Sequence, residues 1–314
     1  MSALLADIGG TNARFALLDG TLGPVIRLPV AGYPTAYDAV AAALAQLGPG
    51  RPPSAAVLAF AGPVDAGRAV MTNAGWDTTA EELRARFGFA DVRLLNDYAA
   101  LALGLEHLGE ADHRRIGPAR PGAHGTLAVL GPGSGLGVAA LLPGENGGRP
   151  LISEGGHATM PAADGLDAEL LAVLREEFGH VSAERVLSGP GLANIHRGLA
   201  RLQGRPTAPL EPEAVTRQGL EGSDDLCRLA LDRFCLLLGS FAGNVALSYG
   251  AQGGVFLAGG ILPRFPEFLA ASGFRARFED KGRFRDYLAA IPTSLITRPH
   301  AAFVGLAAAA RRLP

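Results

Sequence analysis

The chain reads as an α/β protein in two halves, and three glycine turns carry that reading. Ala3-Leu4-Leu5 is apolar, Ala6-Asp7-Ile8-Gly9-Gly10-Thr11-Asn12 makes a tight turn with an acid at its mouth, and Arg14-Phe15-Ala16-Leu17-Leu18 ends at the turn signal Asp19-Gly20. The order is strand, glycine turn, strand. Leu127-Ala128-Val129-Leu130 runs into Gly131-Pro132-Gly133-Ser134-Gly135-Leu136-Gly137, and Val138 to Leu142 repeats the grammar. A third apolar strand, Val255-Phe256-Leu257-Ala258, stops at Gly259-Gly260-Ile261. Each turn alone is an ordinary glycine-rich connection. Three of them, one near each third of the chain, predict two similar halves closing on a nucleotide.

The chemistry of the first turn suits phosphate. Glycine lets backbone N–H groups come where a Cβ would stand in the way. Thr11 adds a hydroxyl donor, and Asp7 is placed to hold a hydrated divalent cation. Gly10 is expected in a conformation that a Cβ disfavours. A Rossmann turn or a P-loop would continue into a helix, whereas this turn continues into a strand. Lysine occurs once, at Lys281, far from any glycine turn. Phosphate must then be held by amides, hydroxyls and metal.

The elements follow in order. After the hairpin come a strand at Val25 to Val30, a helix at Ala36 to Leu47, a strand at Ala56 to Ala61, a helix at Thr79 to Phe87 and a strand at Val92 to Leu95. An alanine-rich helix follows Asp97, which gives βββαβαβα from Leu4 to about Leu108. Glu106 to Gly125 is polar and reads as the connection between lobes, with the second half starting at Gly125. Its longest helix carries Leu226, Ala230, Phe234, Leu237, Phe241 and Val245 at three- and four-residue spacing, a buried face with Phe234 and Phe241 in the core.

Composition narrows the class. Hydrophobic residues are 48%, charged residues 18%, and the net charge of −2 leaves no nucleic-acid footprint. Ala41 to Leu47 and Ala307 to Ala310 are far short of a membrane span. The first strand begins within three residues, which leaves no room for a signal peptide. Cys227 and Cys235 lie eight apart in a helical pattern. Two cysteines are too few for a disulfide framework or a zinc site and suit a reducing cytoplasm.

The polar candidates each have a plain alternative. Asn96-Asp97 stands where the strand Val92 to Leu95 ends and a helix begins, the edge at which α/β proteins place ligands; at such a position an Asp is more often a helix N-cap. Glu154-Gly155-Gly156-His157 sets a carboxylate and an imidazole on one tight loop, a pattern suited to the hydroxyls of a sugar. Glu154 could equally be a solvated loop acid, and His157 a structural histidine. No partner ligands at metal spacing support zinc at His157. Glu184, beside Arg185, has the alternative of a surface ion pair. The remaining histidines, at 107, 113, 124, 180, 196 and 300, read as surface or structural. Gly62-Pro63-Val64 and Met71-Thr72-Asn73 flank this region, with Asn73 a weak candidate.

Six ordered motifs make a resemblance. Asp7-Ile8-Gly9-Gly10-Thr11-Asn12, Leu95-Asn96-Asp97-Tyr98, Gly133-Ser134-Gly135-Leu136-Gly137, Glu154-Gly155-Gly156-His157, Ser182-Ala183-Glu184-Arg185-Val186-Leu187-Ser188-Gly189-Pro190-Gly191 and Leu257-Ala258-Gly259-Gly260 together resemble the bacterial glucokinase family of the actin-like superfamily, over nearly the whole chain. Ser134 stands where such kinases often carry Thr, and keeps the hydroxyl. The resemblance implies a two-lobed actin-like ATPase (ribonuclease H-like) fold with an interlobe cleft. The small lobe would be 1–108 plus 299–314, and the large lobe 109–298, with the last helix, Ala302 to Arg311, returning to the first lobe.

The same resemblance implies phosphorylation of glucose at its 6-hydroxyl by ATP in a cytoplasmic, glycolytic homodimer. It makes Asp97 the general base and puts Asn96, Glu154, His157 and Glu184 on the sugar. It puts Ala6, Asp7, Ile8, Gly9, Gly10, Thr11, Gly133, Ser134, Gly135, Gly259 and Gly260 on the nucleotide, with Asp7 on Mg2+ through water. Repressor-and-kinase relatives in the superfamily carry a His plus Cys zinc cluster, and its absence argues against that branch. The alternatives are a kinase for another hexose and a non-catalytic sugar sensor. A regulator would usually add a DNA-binding module, and a chaperone-type ATPase a peptide-binding domain. ADP or polyphosphate as donor would leave similar motifs.

Overall fold

Apolar runs of period two at the start of each half become sheet centres. The computed structural model describes residues 2–48, 52–71, 74–118, 124–206 and 208–313. It divides into two units, one of Met1–Gly109, Gly144–Ile152 and Arg298–Pro314, the other of Glu110–Pro143 and Ser153–Thr297.

In the first unit, β1 (Ser2–Ile8) pairs antiparallel with β2 (Asn12–Asp19), which continues into β3 (Thr21–Leu22) and β4 (Ile26–Pro29). A capping box of Thr35 and Asp38 starts α1 (Ala36–Leu47). On the other side β1 runs parallel to β5 (Ala55–Phe60), whose six residues are all buried, as a strand covered on both faces must be. Three short strands follow, β6 (Val64–Asp65), β7 (Arg68–Met71) and β8 (Trp76–Thr79), in a separate sheet. The sequence hid the β6–β7 hairpin because its turn residues are Ala66 (φ 44°) and Gly67 (φ 77°). Both are left-handed, as a type I′ turn requires, yet alanine is no turn signal.

Thr79 caps α2 (Ala80–Phe87), and β9 (Asp91–Asn96) lies parallel to β5 and leads into α3 (Asp97–Gly104).

In the second unit, the expected polar connection already holds a strand, β10 (His113–Arg115). It is short and polar because it is an edge strand. Next come β11 (Leu127–Pro132) and β12 (Leu136–Leu142), and then β13 (Arg149–Ser153), which apart from Ser153 belongs to the first unit. The helices α4 (Gly165–Phe178), α5 (Gly189–Leu202), α6 (Pro212–Glu221) and α7 (Asp225–Tyr249) precede β14 (Gly254–Leu257). Three short helices, α8 (Pro266–Ala271), α9 (Phe274–Glu279) and α10 (Arg285–Ala289), lead to β15 (Thr293–Ile296). Five strands run in the order β10-β15-β14-β11-β12, with β11 parallel to β14 and antiparallel to β12.

The helix α7 is long and apolar enough to cross a membrane by length and composition alone, the test that a buried core helix also passes. Its apolar window is 72% buried. Its faces meet α5, α6 and α9 within the core of the second unit. A Cβ on Gly243 would meet the Phe278 carbonyl at 2.6 Å, so glycine lets α9 lie close.

The last helix, α11 (Ala302–Ala310), packs on α3 in the first unit, where a Cβ on Gly305 would strike the Ala100 carbonyl. Residues 144–152 were expected in the large lobe and belong instead to the first unit. The Gly148 amide donates to the Glu106 carboxylate at 3.1 Å, and Arg312 donates to the Gly148 carbonyl at 2.8 Å. These bonds tie the segment to the end of α11.

Candidate active site

Three parallel strands bring the first group of residues to one edge. Ile8, Phe60 and Asn96 stand in register at the carboxyl ends of β1, β5 and β9. That is the edge at which open parallel sheets bind ligands. The Gly9-Gly10-Thr11 turn is thereby two strand spacings from Asp97, roughly 10 Å.

The turn is closed by the Gly9 amide, which donates to the Asn12 carbonyl at 3.0 Å. Gly10 and Thr11 are exposed. Gly10 corrects an expectation. Its φ is not left-handed and a Cβ built on it meets nothing within 4 Å. Glycine there is required by nothing in the protein itself and leaves room for a ligand. Ala6 and Ile8 are wholly buried strand residues whose side chains face away from solvent.

Asp7 faces Arg14 across the hairpin, and the guanidinium Nη1 lies 3.1 Å from Asp7 Oδ2. Burial pushes the Asp7 carboxyl above the usual range, while Arg14, and then the charge of His300, draw it back.

At the end of β9 the capping alternative is resolved by Asn96. Its Oδ1 accepts from the Tyr98 amide at 3.0 Å and from the Ala99 amide at 3.2 Å, and its Nδ2 donates to the Gly62 carbonyl at 3.2 Å. Asn96 is thus the N-cap of α3 and ties it to the end of β5. Asp97 is the first residue of the helix, and its Oδ1 accepts from the Tyr98 amide at 2.9 Å. The Tyr98 hydroxyl is held protonated by burial and by the Asp97 charge. Gly62 has no room for a side chain, since a Cβ would meet the Val70 carbonyl at 2.5 Å. Asn73 lies outside the described residues.

The second unit gathers the other candidates around β11, β12 and β14. The Gly133 amide donates to the Gly135 carbonyl at 2.8 Å and closes the second glycine turn. The Gly189 amide, at the start of α5, donates to the Gly133 carbonyl at 2.8 Å, which brings a helix N-terminus against the turn. Ser188 caps that helix by accepting from the Gly191 amide at 3.0 Å. Gly259 has φ 85°, and a Cβ there would strike the Pro132 carbonyl. The end of β14 and the Gly133-Ser134-Gly135 turn are therefore adjacent. A Cβ on Gly260 meets nothing within 4 Å.

Glu184 turns toward this turn. Its Oε2 accepts the Leu136 amide at 2.9 Å. Its own amide donates to the Gly156 carbonyl at 2.9 Å, and the Ala183 amide to Ala158 at 2.8 Å. The Glu154–His157 loop is thus fastened to the Glu184 segment. A Cβ on Gly156 would strike the Leu136 carbonyl, so the loop can dock on β12 only with glycine there. Glu154 and His157 project outward. Their side chains are 73% and 62% exposed, with Oε2 and Nε2 at 3.9 Å. Two outward polar groups on a backbone this constrained are suited to taking hydroxyl hydrogen bonds from a ligand.

Sequence reading missed Arg14, the Gly62 carbonyl and the Leu136 amide. Arg14 had a signal, because it and Asp7 are equally far from the Gly9–Asn12 turn and so must pair in a tight hairpin. The other two are backbone groups, and no residue type announces them.

Comparison with known proteins identifies the family. The sequence profile of the Glucokinase family matches residues 4–313. A glucokinase of Paramagnetospirillum magneticum is 47% identical over 308 residues, covering 97% of this chain and 96% of that protein. A crystal structure of glucokinase from an Antarctic psychrotroph superposes with TM-score 0.91 at 36% identity, covering 99% of each chain. A ROK family glucokinase from Streptomyces griseus, in complex with glucose and AMPPNP, has TM-score 0.67 at 20% identity and shares the fold. The fold is the actin-like α/β ATPase fold of sugar kinases, and the chain belongs to the glucokinase family.

Proposed function

We propose that this chain transfers the γ-phosphoryl group of ATP to the 6-hydroxyl of D-glucose. The observation that carries the reading is the shared sheet edge of the first unit, where a glycine phosphate turn and Asp97 stand two strands apart. The names of the relatives support glucose, and the AMPPNP complex of a protein of the same fold supports ATP.

Asp97 accepts the proton of the 6-hydroxyl while that oxygen attacks the γ-phosphorus. The bond between the γ-phosphorus and its bridging oxygen breaks, and ADP leaves with the electron pair. Asn96 fixes the start of α3, and with it the Asp97 backbone, and has one further amide N–H for a sugar hydroxyl. Glu154, His157 and Glu184 are the proposed sugar contacts of the second unit, Glu184 with the oxygen not given to Leu136. The amides of Gly9, Gly10 and Thr11, and of Gly133, Ser134 and Gly135, hold phosphate, and Gly259-Gly260 flanks the adenosine.

The residues present also fit Mg2+. Arg14 takes Oδ2 of Asp7, which leaves Oδ1 to receive a water of the hydrated ion, the kind of contact that Mg2+ commonly makes. When bound, the ion neutralises charge on the β- and γ-phosphate oxygens. The proposed working form is a cytoplasmic homodimer, which rests on family membership; light scattering of the purified chain tests the dimer.

A coupled assay with MgATP against a panel of hexoses tests the activity. Glucose should give the highest kcat/KM. Preference for another hexose would make the chain a kinase of that sugar, and sugar binding without turnover would make it a sensor.

A further inference from the structure

Two cysteines eight residues apart gave no zinc site by spacing, and His196 read as structural. The fold of the second unit changes that reading. His196 is on α5, Asp224 is the N-cap of α7, and Cys227 is in the first turn of that helix. One imidazole nitrogen, one carboxylate oxygen and the thiol sulfur of these residues all lie within 4.8 Å of one another.

Three features separate this cluster from a chance meeting of polar groups. His196 is 3% exposed, yet its ring makes no hydrogen bond among the described residues. Asp224 is already oriented, since Oδ1 accepts the Cys227 amide at 2.8 Å, and its carboxylate lies within hydrogen-bonding reach of the Cys227 thiol. Gln218, on α6, brings Oε1 to 3.6 Å from Cys227 Sγ, a fourth donor from a third helix.

We propose that His196, Asp224 and Cys227 form a binding site for a zinc-class divalent cation, with water or the Gln218 carbonyl oxygen in the fourth position. Nitrogen, oxygen and sulfur together are the ligand set of zinc and cobalt rather than of magnesium or calcium. Zinc–sulfur and zinc–nitrogen bonds of about 2.3 and 2.0 Å put ligand atoms roughly 3.5 Å apart. Modest side-chain rotations close the present cluster to that size. The ion would tie the middle of α5 to the N-terminus of α7, so it would act on stability rather than on phosphoryl transfer.

Binding has a proton balance. The metal–sulfur bond forms as the S–H bond breaks, and the proton passes to solvent. Burial and the Asp224 charge push the Cys227 thiol up to about 11, with Arg205 opposing. His196, whose ring burial lowers, is already neutral at pH 8.

The test is titration of chelator-treated, untagged protein with Co2+. The wild type should bind one equivalent with a near-ultraviolet sulfur-to-cobalt charge-transfer band. Cys235→Ser should keep the band, Cys227→Ser should lose it, and His196→Gln should weaken binding at least tenfold. Zn2+ should raise the Tm of the wild type and not of Cys227→Ser. Turnover coupled to glucose-6-phosphate dehydrogenase, with far-ultraviolet circular dichroism, reports that each variant is folded, since none of these residues belongs to the proposed catalytic machinery. If Cys227→Ser does not fold, the band in the wild type and in Cys235→Ser, and its loss in His196→Gln, decide. No band at saturating Co2+, or a band that survives Cys227→Ser, overturns the site, whether or not the chain proves to be a glucose kinase.

Discussion

Glu184 Oε2 accepts the amide of Leu136 at 2.9 Å, and a Cβ on Gly135 would come within 2.5 Å of that same oxygen. One carboxylate therefore shapes the second glycine turn and explains why the residue before Leu136 is glycine. Gly135→Ala should push Glu184 off the amide. The lost charge-assisted bond predicts a destabilisation of about 1.5–3 kcal/mol and a raised KM for ATP. Glu184→Ala removes the obstacle, so the double variant should be more stable than the two single effects added together. Urea unfolding of the four proteins measures this coupling, and strict additivity would show that the two residues do not interact.

Asp97→Asn should retain glucose affinity and lose kcat by about 10²–10⁴-fold, the usual worth of a positioned base. Calorimetric glucose binding and the coupled assay separate the two effects. A variant that keeps more than roughly a third of kcat, far above that range, would falsify the assignment of Asp97 as the base.

Asn96 and Asp97 should fail differently. Asn96→Ala loses the α3 cap, worth about 1 kcal/mol, together with the bond to Gly62. Both stability and kcat should fall, because the residue that starts the helix also sets Asp97. Asn96→Asp keeps an oxygen for the Tyr98 and Ala99 amides and should recover most of the thermal stability. Equal melting temperatures for Ala and Asp at this position would mean that the cap contributes little.

The raised carboxyl of Asp7 has a stability consequence of unusual sign. Its native pKa lies above the ordinary 3.8, so the native state holds the proton more tightly than the unfolded chain. The contribution of Asp7 is fully favourable below 3.8 and is lost as pH rises through the raised native value. At neutral pH the buried charge is a cost. Asp7→Asn should thus be as stable as the wild type or more so at pH 7.5, an advantage that shrinks on acidification. The same variant should show a weakened Mg2+ response at fixed ATP. An unchanged Mg2+ requirement with unchanged kcat would make Asp7 a turn residue only.

Gly10→Val probes ligand room without backbone strain. The site is open and its φ is ordinary for any residue, so unfolding free energy should move by no more than about 0.5 kcal/mol. The KM for ATP should rise about tenfold, the equivalent of one amide–phosphate hydrogen bond of about 1.4 kcal/mol. Glucose affinity without nucleotide should be unchanged. A large loss of stability would return Gly10 to a conformational role.

Local chemistry made much of this protein readable from its residues alone. Period-two apolar runs broken by glycine pairs mark β1, β2, β11, β12 and β14, because a strand buried on one or both faces must alternate or be wholly apolar and a tight turn needs glycine. The three- and four-residue spacing from Leu226 to Val245 marks α7 for the same kind of reason. Asp97 was legible as a candidate because an acid at the end of a parallel strand meets the edge where ligands bind.

What the linear pattern does not contain is which distant backbone groups a side chain meets. The competition for the α3 cap was decided in favour of Asn96 by its register beside Phe60 and by the Gly62 carbonyl, 34 residues away in the chain. Glu184 became a clamp on Leu136, 48 residues back, because the Gly156 backbone docks on β12 and carries Ala183 and Glu184 with it. His196 meets Asp224 and Cys227 only because α5 and α7 pack side by side. Each of these depends on long-range pairing and helix packing, and backbone amides and carbonyls, which every residue carries alike, leave no mark in a sequence.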